Sequence, residues 1–299
     1  MARRGVVFVL LFTFASMGSA QRAQAEEEPS VESATTQQSE HPAALRVAMC
    51  QLSCVDDDRE GNFERLEACL KQAQRESADM ACFPETCLLG WVNPNSHQLA
   101  HPIPGTELEH DVSRLQALAQ QYELMLCLGL AEKSGAKLYD SVVLIDRDGK
   151  LLLKHRKVNV LKEMMTPPYT AGERVEVVDT PFGKIGLLIC ADTFDADCLQ
   201  RMQKIKPDLV LVPYGWAAPP ADWPQHGRAL ASTVSHAAKT IGAPVVGVNS
   251  VGEIAHGPWR GYTYGGQSIS CDAEGRSLLV LADRQSQVIT FELMRKVDP

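Results

Sequence analysis

After residue 44 the chain alternates between short apolar runs and longer segments in which apolar residues recur every three or four positions. The short runs predict buried strands, and the longer period predicts amphipathic helices. Strands are predicted at LRVAMCQL, DMACFPE, ELMLCLGLAE, GKIGLLIC, DLVLVPYG and APVVGVNSVG. Helices are predicted where Asn62 caps a face formed by Phe63, Leu66 and Leu70, and again over 108–122 and 230–241.

The segment LYDSVVLIDRDGKLLLKHRKV predicts two strands around Asp148-Gly149, a dipeptide that favours a hairpin turn. The last segment, GGQSISCDAEGRSLLVLADRQSQVITFEL, predicts a β-meander with turns at 272–275 and near Ser286. No repeat of fixed period and no second linker interrupts this pattern. We therefore predict one α/β domain with mixed sheets over 45–299, with its last strand ending near Leu293.

The N-terminus follows a different pattern. Arg3 and Arg4 precede the apolar stretch GVVFVLLFTFASM, which is too short to span a bilayer comfortably, and small residues follow up to Ala25. This order predicts a signal peptide over 1–25 and an exported protein, periplasmic or secreted; an uncleaved membrane anchor is the alternative. Residues 26–44 are rich in Ser, Thr, Gln and Glu, which predicts a flexible polar linker.

Charge and motif content narrow the class of ligand. The chain has 29 Lys plus Arg against 37 Asp plus Glu, a formal charge of −8. Because an acidic chain without a basic stripe is a poor partner for nucleic acid or anionic membranes, a small-molecule substrate is expected. No Walker-type loop, HExxH or CxxC occurs, and His97 and His101 have no evident third ligand, so no metal and no cofactor is predicted.

Nine cysteines are notable in a chain predicted to be exported. Most lie inside apolar runs, where a free thiol behaves as a small hydrophobic group. The sequence does not decide whether Cys50 and Cys54, or Cys82 and Cys87, form a disulfide. An odd count leaves at least one thiol unpaired within the chain, which is compatible with a reactive cysteine.

Three predicted strands end on reactive side chains: Glu85, Lys157 and Cys190. In layered α/β folds the loops at strand ends open over the sheet, so such groups can meet there. A thiol can attack a carbonyl or nitrile carbon, and a carboxylate can move its proton to the leaving amine. An ammonium group can stabilise the oxyanion that develops.

The segments FPETCLLGW, KHRKVNV and GKIGLLICADTFD, in this order and with their flanking segments, resemble the nitrilase superfamily of carbon–nitrogen hydrolases over nearly all of 45–293. The resemblance implies a four-layer αββα sandwich and a homodimer or higher homo-oligomer. It also implies that Glu85 is the general base and acid, Lys157 the cation at the oxyanion and Cys190 the nucleophile. The backbone N–H of Ala191 would complete the oxyanion hole.

The segment after Lys157 departs from the family pattern, in which a second glutamate commonly borders the pocket. Glu163 is the nearest candidate for that position, although its spacing to Gly172 looks shifted. Tyr214 and Trp216 follow a predicted strand and are candidate substrate contacts, with loop aromatics over the core as the alternative. Ala191-Asp192 directly after Cys190 resembles the amide-cleaving branches of the family rather than the nitrile-cleaving ones.

These observations predict a hydrolase that cleaves a non-peptide C–N bond in a small amide or N-carbamoyl compound through a thioacyl intermediate. Two alternatives remain at this point. One is an acyltransferase on the same scaffold, in which an amine replaces water as the acceptor. The other is a catalytically silent protein that binds a ligand or supports an assembly.

Overall fold

A computed structural model describes residues 44–105, 107–108 and 110–294. The predicted signal peptide over 1–25 and residues 26–43 of the predicted linker lie outside the described residues. The first strand already begins at Ala44. No helix in the described part of the chain is long and apolar enough to cross a bilayer.

The helices in this part of the chain are α1 Arg59–Arg75, α2 Ser96–Leu99, α3 Asp111–Tyr122, α4 Ala196–Ile205 and α5 Gly227–Ile241. The strands of the first half are β1 Ala44–Gln51, β2 Met80–Cys82, β3 Met125–Ser134, β4 Lys137–Ile145, β5 Leu151–Arg156, β6 Val177–Thr180 and β7 Gly183–Leu187. The remaining strands are β8 Leu209–Tyr214, β9 Ala217–Ala218, β10 Val245–Asn249, β11 Val251–Glu253, β12 Thr263–Gly265, β13 Ile269–Cys271, β14 Ser277–Val280 and β15 Gln287–Met294.

Two six-stranded mixed sheets form the centre of the molecule. Their strand orders are β15-β1-β2-β3-β4-β5 and β14-β13-β10-β8-β7-β6, and β11-β12-β9 form a small third sheet. In the first large sheet β1, β2 and β3 run parallel. In the second, β7, β8 and β10 run parallel. The outer strands of both sheets are antiparallel, which confirms the predicted mixed topology.

The alternation of side chains along β1 shows how the layers stack. Val47 and Met49 pack into a core shared with the second large sheet, while Ala48 and Cys50 pack against α1 and α3. Since successive strand residues point to opposite faces, one apolar run serves both layers. Apolar side chains of α4 and α5 cover the second sheet. The predicted four-layer αββα sandwich is therefore confirmed.

The first helix corrects one prediction. Its apolar face is as predicted, but α1 begins at Arg59 and its N-cap is Asp58, whose carboxylate accepts from the Gly61 N–H at 3.1 Å. Asn62 lies buried within the helix instead. Its amide donates to the Val55 carbonyl at 2.7 Å and to the Leu88 carbonyl at 3.0 Å, so it ties the preceding loop to the helix.

The C-terminal segment also differs from the prediction. The strands β13 and β14 form the expected hairpin, but β15 leaves them and pairs antiparallel with β1 in the other large sheet. The predicted continuous meander is therefore wrong. A strand that pairs with a partner far away in the sequence has the same local pattern as one that pairs with its neighbour.

The cysteines are all free thiols, and neither of the two disulfides left open by the sequence is formed. Eight of them are buried, and Cys69 is half-buried. Most therefore act as core residues, as the sequence indicates.

Candidate active site

Glu85 lies where the two large sheets approach each other. The chain leaves β2 at Cys82, and the Glu85 N–H then donates to the carbonyl of Tyr214, at the end of β8, at 3.4 Å. Glycine at position 129 allows the backbone to pass this closely, because a Cβ there would lie only 2.6 Å from the Glu85 Cα. The side chain is only 2% exposed, so the fold buries a carboxylate at the junction.

Lys157 follows β5 directly and is also 2% exposed. Its Nζ donates to Oε1 of Glu85 and to Oδ2 of Asp140, the latter at 3.1 Å. Asp140 lies on the neighbouring strand β4, and its carbonyl accepts from the Lys157 N–H at 2.8 Å. A single buried ammonium group therefore contacts two buried carboxylates.

Cys190 begins a short 3₁₀ helix, Cys190–Phe194, three residues after β7 ends at Leu187. The sequence predicted this cysteine at the end of the strand itself, so its position is corrected by two residues, the second of which, Ile189, is still extended. The Cys190 φ is +38°, a left-handed conformation that is costly for a residue with a side chain. Its carbonyl accepts from the Thr193 hydroxyl at 2.6 Å, which holds the turn.

Asp192 connects the cysteine turn to the lysine segment. Its fully buried carboxylate accepts from the N–H groups of Val158 at 2.9 Å, Asn159 at 2.8 Å and Ile189 at 3.0 Å. The Nε2 atom of His155 lies 2.8 Å from the same carboxylate. The segments that carry Lys157 and Cys190 are thus fixed to each other through one side chain.

Charges in this buried cluster perturb one another. Burial alone would lower the pKa of Lys157, but the Glu85 and Asp140 carboxylates raise it well above its ordinary value, so the ammonium is retained. Burial, and then repulsion from Glu85, raises the pKa of Asp140 well above its ordinary value. Burial and Glu85 also raise the pKa of the Cys190 thiol. At neutral pH the thiol is therefore protonated and needs a base to become a nucleophile.

Asp192 behaves in the opposite way. Burial would raise the pKa of its carboxyl group, but the hydrogen bond and charge of His155 and the N–H of Asn159 lower it below its ordinary value. Asp192 is therefore a carboxylate at neutral pH. Its negative charge is stabilised by hydrogen-bond donors and by the charge of His155.

A cavity of about 330 Å³ opens directly over Cys190. Gly215, Leu161 and Asp222 contribute to its wall. The other large side chains in the wall are aromatic: Trp91, Phe194, Trp216, His226, Trp259 and Tyr262. Gly215 leaves room for the carboxylate, since a Cβ there would lie 2.8 Å from Oε2 of Glu85. The arrangement places a thiol, a carboxylate and an ammonium group beside a space suited to a small, largely apolar molecule.

The other predicted site residues have different positions. Ala191 is buried beside Cys190, and its carbonyl accepts from Asn159 at 2.8 Å. Trp216 lines the cavity, whereas Tyr214 is fully buried beneath it and its hydroxyl lies 3.1 Å from that of Thr193. Glu163 is exposed on a short 3₁₀ helix and does not line the cavity. The second carboxylate at the site is Asp140.

Several residues of the site were not identified from the sequence. Asp140, His155 and Asp192 stand inside the quoted motifs, but only the fold shows that their side chains face Lys157 and the cysteine turn. Asp140 has a signal in the sequence, as an acid inside an otherwise apolar strand, whereas His155 and Asp192 stand next to other polar residues and have none. His97 and His101, the spaced histidine pair, make separate contacts, with the Pro167 carbonyl and with Asp111.

Known proteins resemble this chain in sequence. The family model for carbon-nitrogen hydrolases matches residues 46–297. Bifunctional nitrilase/nitrile hydratase NIT4 from Oryza sativa subsp. japonica is 31% identical over 172 residues, which are 50% of this chain and 46% of that protein. Omega-amidase NIT2 from Xenopus tropicalis is 27% identical over 205 residues, which are 64% and 72% of the two chains. The chain thus spans about half the length of the nitrilase relatives it matches.

Solved structures show the same fold. An amidase from Nesterenkonia sp. has a TM-score of 0.70 at 20% identity, covering 84% of this chain and 90% of that one. A carbon-nitrogen hydrolase from Helicobacter pylori G27 has a TM-score of 0.71 at 21% identity, covering 83% and 89%. A crystallised mutant of the Nesterenkonia amidase shows covalent addition of an acetamide moiety at its active site cysteine.

Proposed function

Because this chain belongs to the carbon-nitrogen hydrolase family, we propose that it hydrolyses the C–N bond of a small amide or N-carbamoyl compound through a thioester on Cys190. The observation that carries the proposal is the buried contact of Lys157 with Glu85 and Asp140 beside a cavity that exposes Cys190. A purely structural ion pair would not need a strained cysteine close to it that borders a cavity. The covalent adduct of the Nesterenkonia amidase supports the same chemistry.

In the proposed first step Glu85 takes the Cys190 proton while the sulfur attacks the carbonyl carbon. The negative charge that forms on the carbonyl oxygen is stabilised by the Lys157 ammonium and by the backbone N–H of Ala191. The intermediate collapses when Glu85 returns the proton to the leaving nitrogen, and an amine departs. Water, deprotonated by Glu85, then cleaves the thioester and frees the thiol.

Nitrile hydrolysis is the second candidate, because the relatives with the higher identity include bifunctional nitrilases. We favour the amide for a reason in the sequence, since Ala191-Asp192 follows Cys190 where nitrile-cleaving members typically have Trp-Glu. A nitrile carbon is linear and forms a thioimidate, whereas an amide carbon becomes tetrahedral with its oxyanion beside Lys157. The two reactions need different placement of the same groups, and displacements near 1 Å can cost roughly a hundredfold in rate.

The test is a paired assay in which one acyl chain is offered as the amide and as the nitrile, with detection of released ammonia. We expect the higher kcat/KM for the amide, and a mass increase on Cys190 that corresponds to the acyl group in rapidly quenched samples. Added hydroxylamine or another amine reports acyl transfer, because a transferase would form the amine adduct in preference to the acid. A higher kcat/KM for the nitrile would overturn the substrate assignment.

Two cysteine variants serve as the matched pair for the mechanism. Cys190→Ala should abolish both turnover and the mass increase. Cys198→Ala removes a thiol that is also buried but lies on α4 and does not line the cavity, so it should keep both. Turnover by folded Cys190→Ala would contradict the proposed nucleophile, and a protein inert to all amides, nitriles and alkylating agents would indicate a silent binding protein.

A further inference from the structure

We propose that the outer part of the cavity selects amides whose far end carries a positive charge, and that Asp222 and the aromatic wall make this selection. The proposal rests on the proposed function, since it concerns the substrate of the same site.

Aromatic rings in the cavity wall form two groups. In the first group Trp259 contacts both Trp91 and Tyr262, with ring centroids 5.5 Å apart in each pair. In the second group Trp216 stacks on His226 at 5.4 Å, with 29° between the ring planes. The faces of Trp and Tyr rings carry partial negative charge, so a wall rich in such rings attracts an alkylammonium group.

The charged groups around the cavity favour the same ligand. Asp222 is the carboxylate in the wall, and among the described residues its side chain makes no hydrogen bond and no ion pair. Burial lowers the pKa of His226, against the influence of Asp222, so His226 is neutral at physiological pH and does not cancel that charge. The wall contains neither lysine nor arginine.

The catalytic end of the cavity adds no positive charge that is free. The Lys157 ammonium already contacts the carboxyl groups of both Glu85 and Asp140. A substrate with a distal carboxylate would therefore enter a cavity with a carboxylate in its wall and no cation to receive it, and would lose its hydration without compensation. A distal ammonium group would instead be attracted by the Asp222 carboxylate and by the faces of the aromatic rings.

Two basic residues that directly follow wall residues in the sequence could favour a distal carboxylate instead. Lys162 follows Leu161, and Arg260 follows Trp259, but both are exposed and neither lines the cavity. If either turned inward to bind a substrate carboxylate, the preference would reverse. The experiment separates these possibilities directly.

The experiment uses three linear amides of equal chain length that end in an ammonium, a methyl or a carboxylate group. We measure kcat/KM with the wild-type protein, and binding by calorimetry to Cys190→Ala, which does not require turnover. We expect the ammonium amide to exceed the carboxylate amide by about tenfold or more in both measurements, with the methyl amide between them. Asp222→Asn should bring the ammonium amide close to the methyl amide.

Glu253→Gln provides the matched control, because it removes another exposed carboxylate, on β11, that does not line the cavity. It should leave the order unchanged. Equal binding of all three amides, no detectable binding, preference for the carboxylate, or an Asp222→Asn variant that keeps the ammonium preference would each overturn the inference. Turnover without an ammonium preference would leave the proposed function standing, whereas the expected binding order without turnover would refute the function alone.

Discussion

Replacement of Lys157 by methionine tests the energetic role of the cation between two carboxylates. Methionine has a similar length and no charge, so Lys157→Met leaves the Glu85 and Asp140 carboxyl groups buried without their shared donor. At an effective dielectric constant of about 20, two unit charges separated by the 3.1 Å between Nζ and the Asp140 Oδ2 interact by roughly 5 kcal/mol, which is an upper bound because the raised pKa of Asp140 disfavours its charged form. Desolvation offsets part of this, and removing one partner of a buried pair typically costs about 3–5 kcal/mol.

The size of the effect should depend on pH. Burial and Glu85 raise the folded-state pKa of Asp140, so this group's contribution to stability is present at low pH and is lost as pH rises through that raised pKa. Lys157 lowers the pKa of Asp140, so this pKa rises further in Lys157→Met and the loss of stability continues to higher pH. Below about pH 4, the ordinary pKa of Asp, Asp140 holds a proton in both the folded and the unfolded state, so its part of the destabilisation should fade as the pH is lowered.

The assay is thermal and urea unfolding of wild type and Lys157→Met at pH 5 and pH 8. We expect Tm to fall by roughly 10 °C at pH 8 and by clearly less at pH 5. Lys154→Met is the control. Its carboxylate partner Glu132 keeps two hydrogen bonds from Arg156, so the free energy of unfolding of this variant should fall by only about 1 kcal/mol. A cost no greater than that of the control, or one that does not change with pH, would refute the reasoning.

Three further variants probe the geometry of the site. Lys157→Arg should keep most of the stability but lose at least about a hundredfold in kcat, because a planar guanidinium cannot occupy the position of a compact ammonium. The measurement is steady-state kinetics, and a loss under about threefold would place the lysine away from the chemistry. Gly215→Ala puts a Cβ 2.8 Å from Oε2 of Glu85, so kcat should fall more than about tenfold while Tm changes little, and unaltered kcat would contradict this contact. Asp192→Asn cannot accept all four contacts of the carboxylate and should lower stability by about 2–4 kcal/mol in urea unfolding at pH 7. Because the pKa of Asp192 is lowered, this difference should shrink as the wild type is acidified below about pH 4; a constant difference would argue against a charged acceptor.

The sequence predicted those parts of the fold whose signal is local. The apolar faces of α1, α3 and α5, the hairpin at Asp148-Gly149 and the buried central strands, though not their direction, all follow from periodicity or turn chemistry. The N-cap of α1 was misassigned because Asp58 and Asn62 are both good capping residues, and only the loop around Val55 decides between them. The pairing of β15 could not be predicted, since its partner lies at the other end of the domain.

The site shows the same division between local and distant information. The motifs around Glu85, Lys157 and Cys190 mark the reactive groups, because those groups follow apolar strands. Asp140 was not predicted, because a lone acid in a strand normally faces solvent and Lys157, which directly follows the neighbouring strand β5, comes beside it only in the folded sheet. Asp222 lies on an exposed turn that resembles any other polar loop until the cavity is seen.

The pairing of β15 with β1 also has a consequence for synthesis on the ribosome. β1 is translated among the first elements of the domain, but its outer edge is completed only by Gln287–Met294, nearly the whole domain later. At roughly 5–20 residues per second, that edge is exposed for ten seconds or more during each round of translation. An apolar strand with an open edge is a template for pairing with other chains, so neighbouring nascent chains can aggregate through β1 during this interval. A chain truncated before Gln287 would keep that edge open permanently.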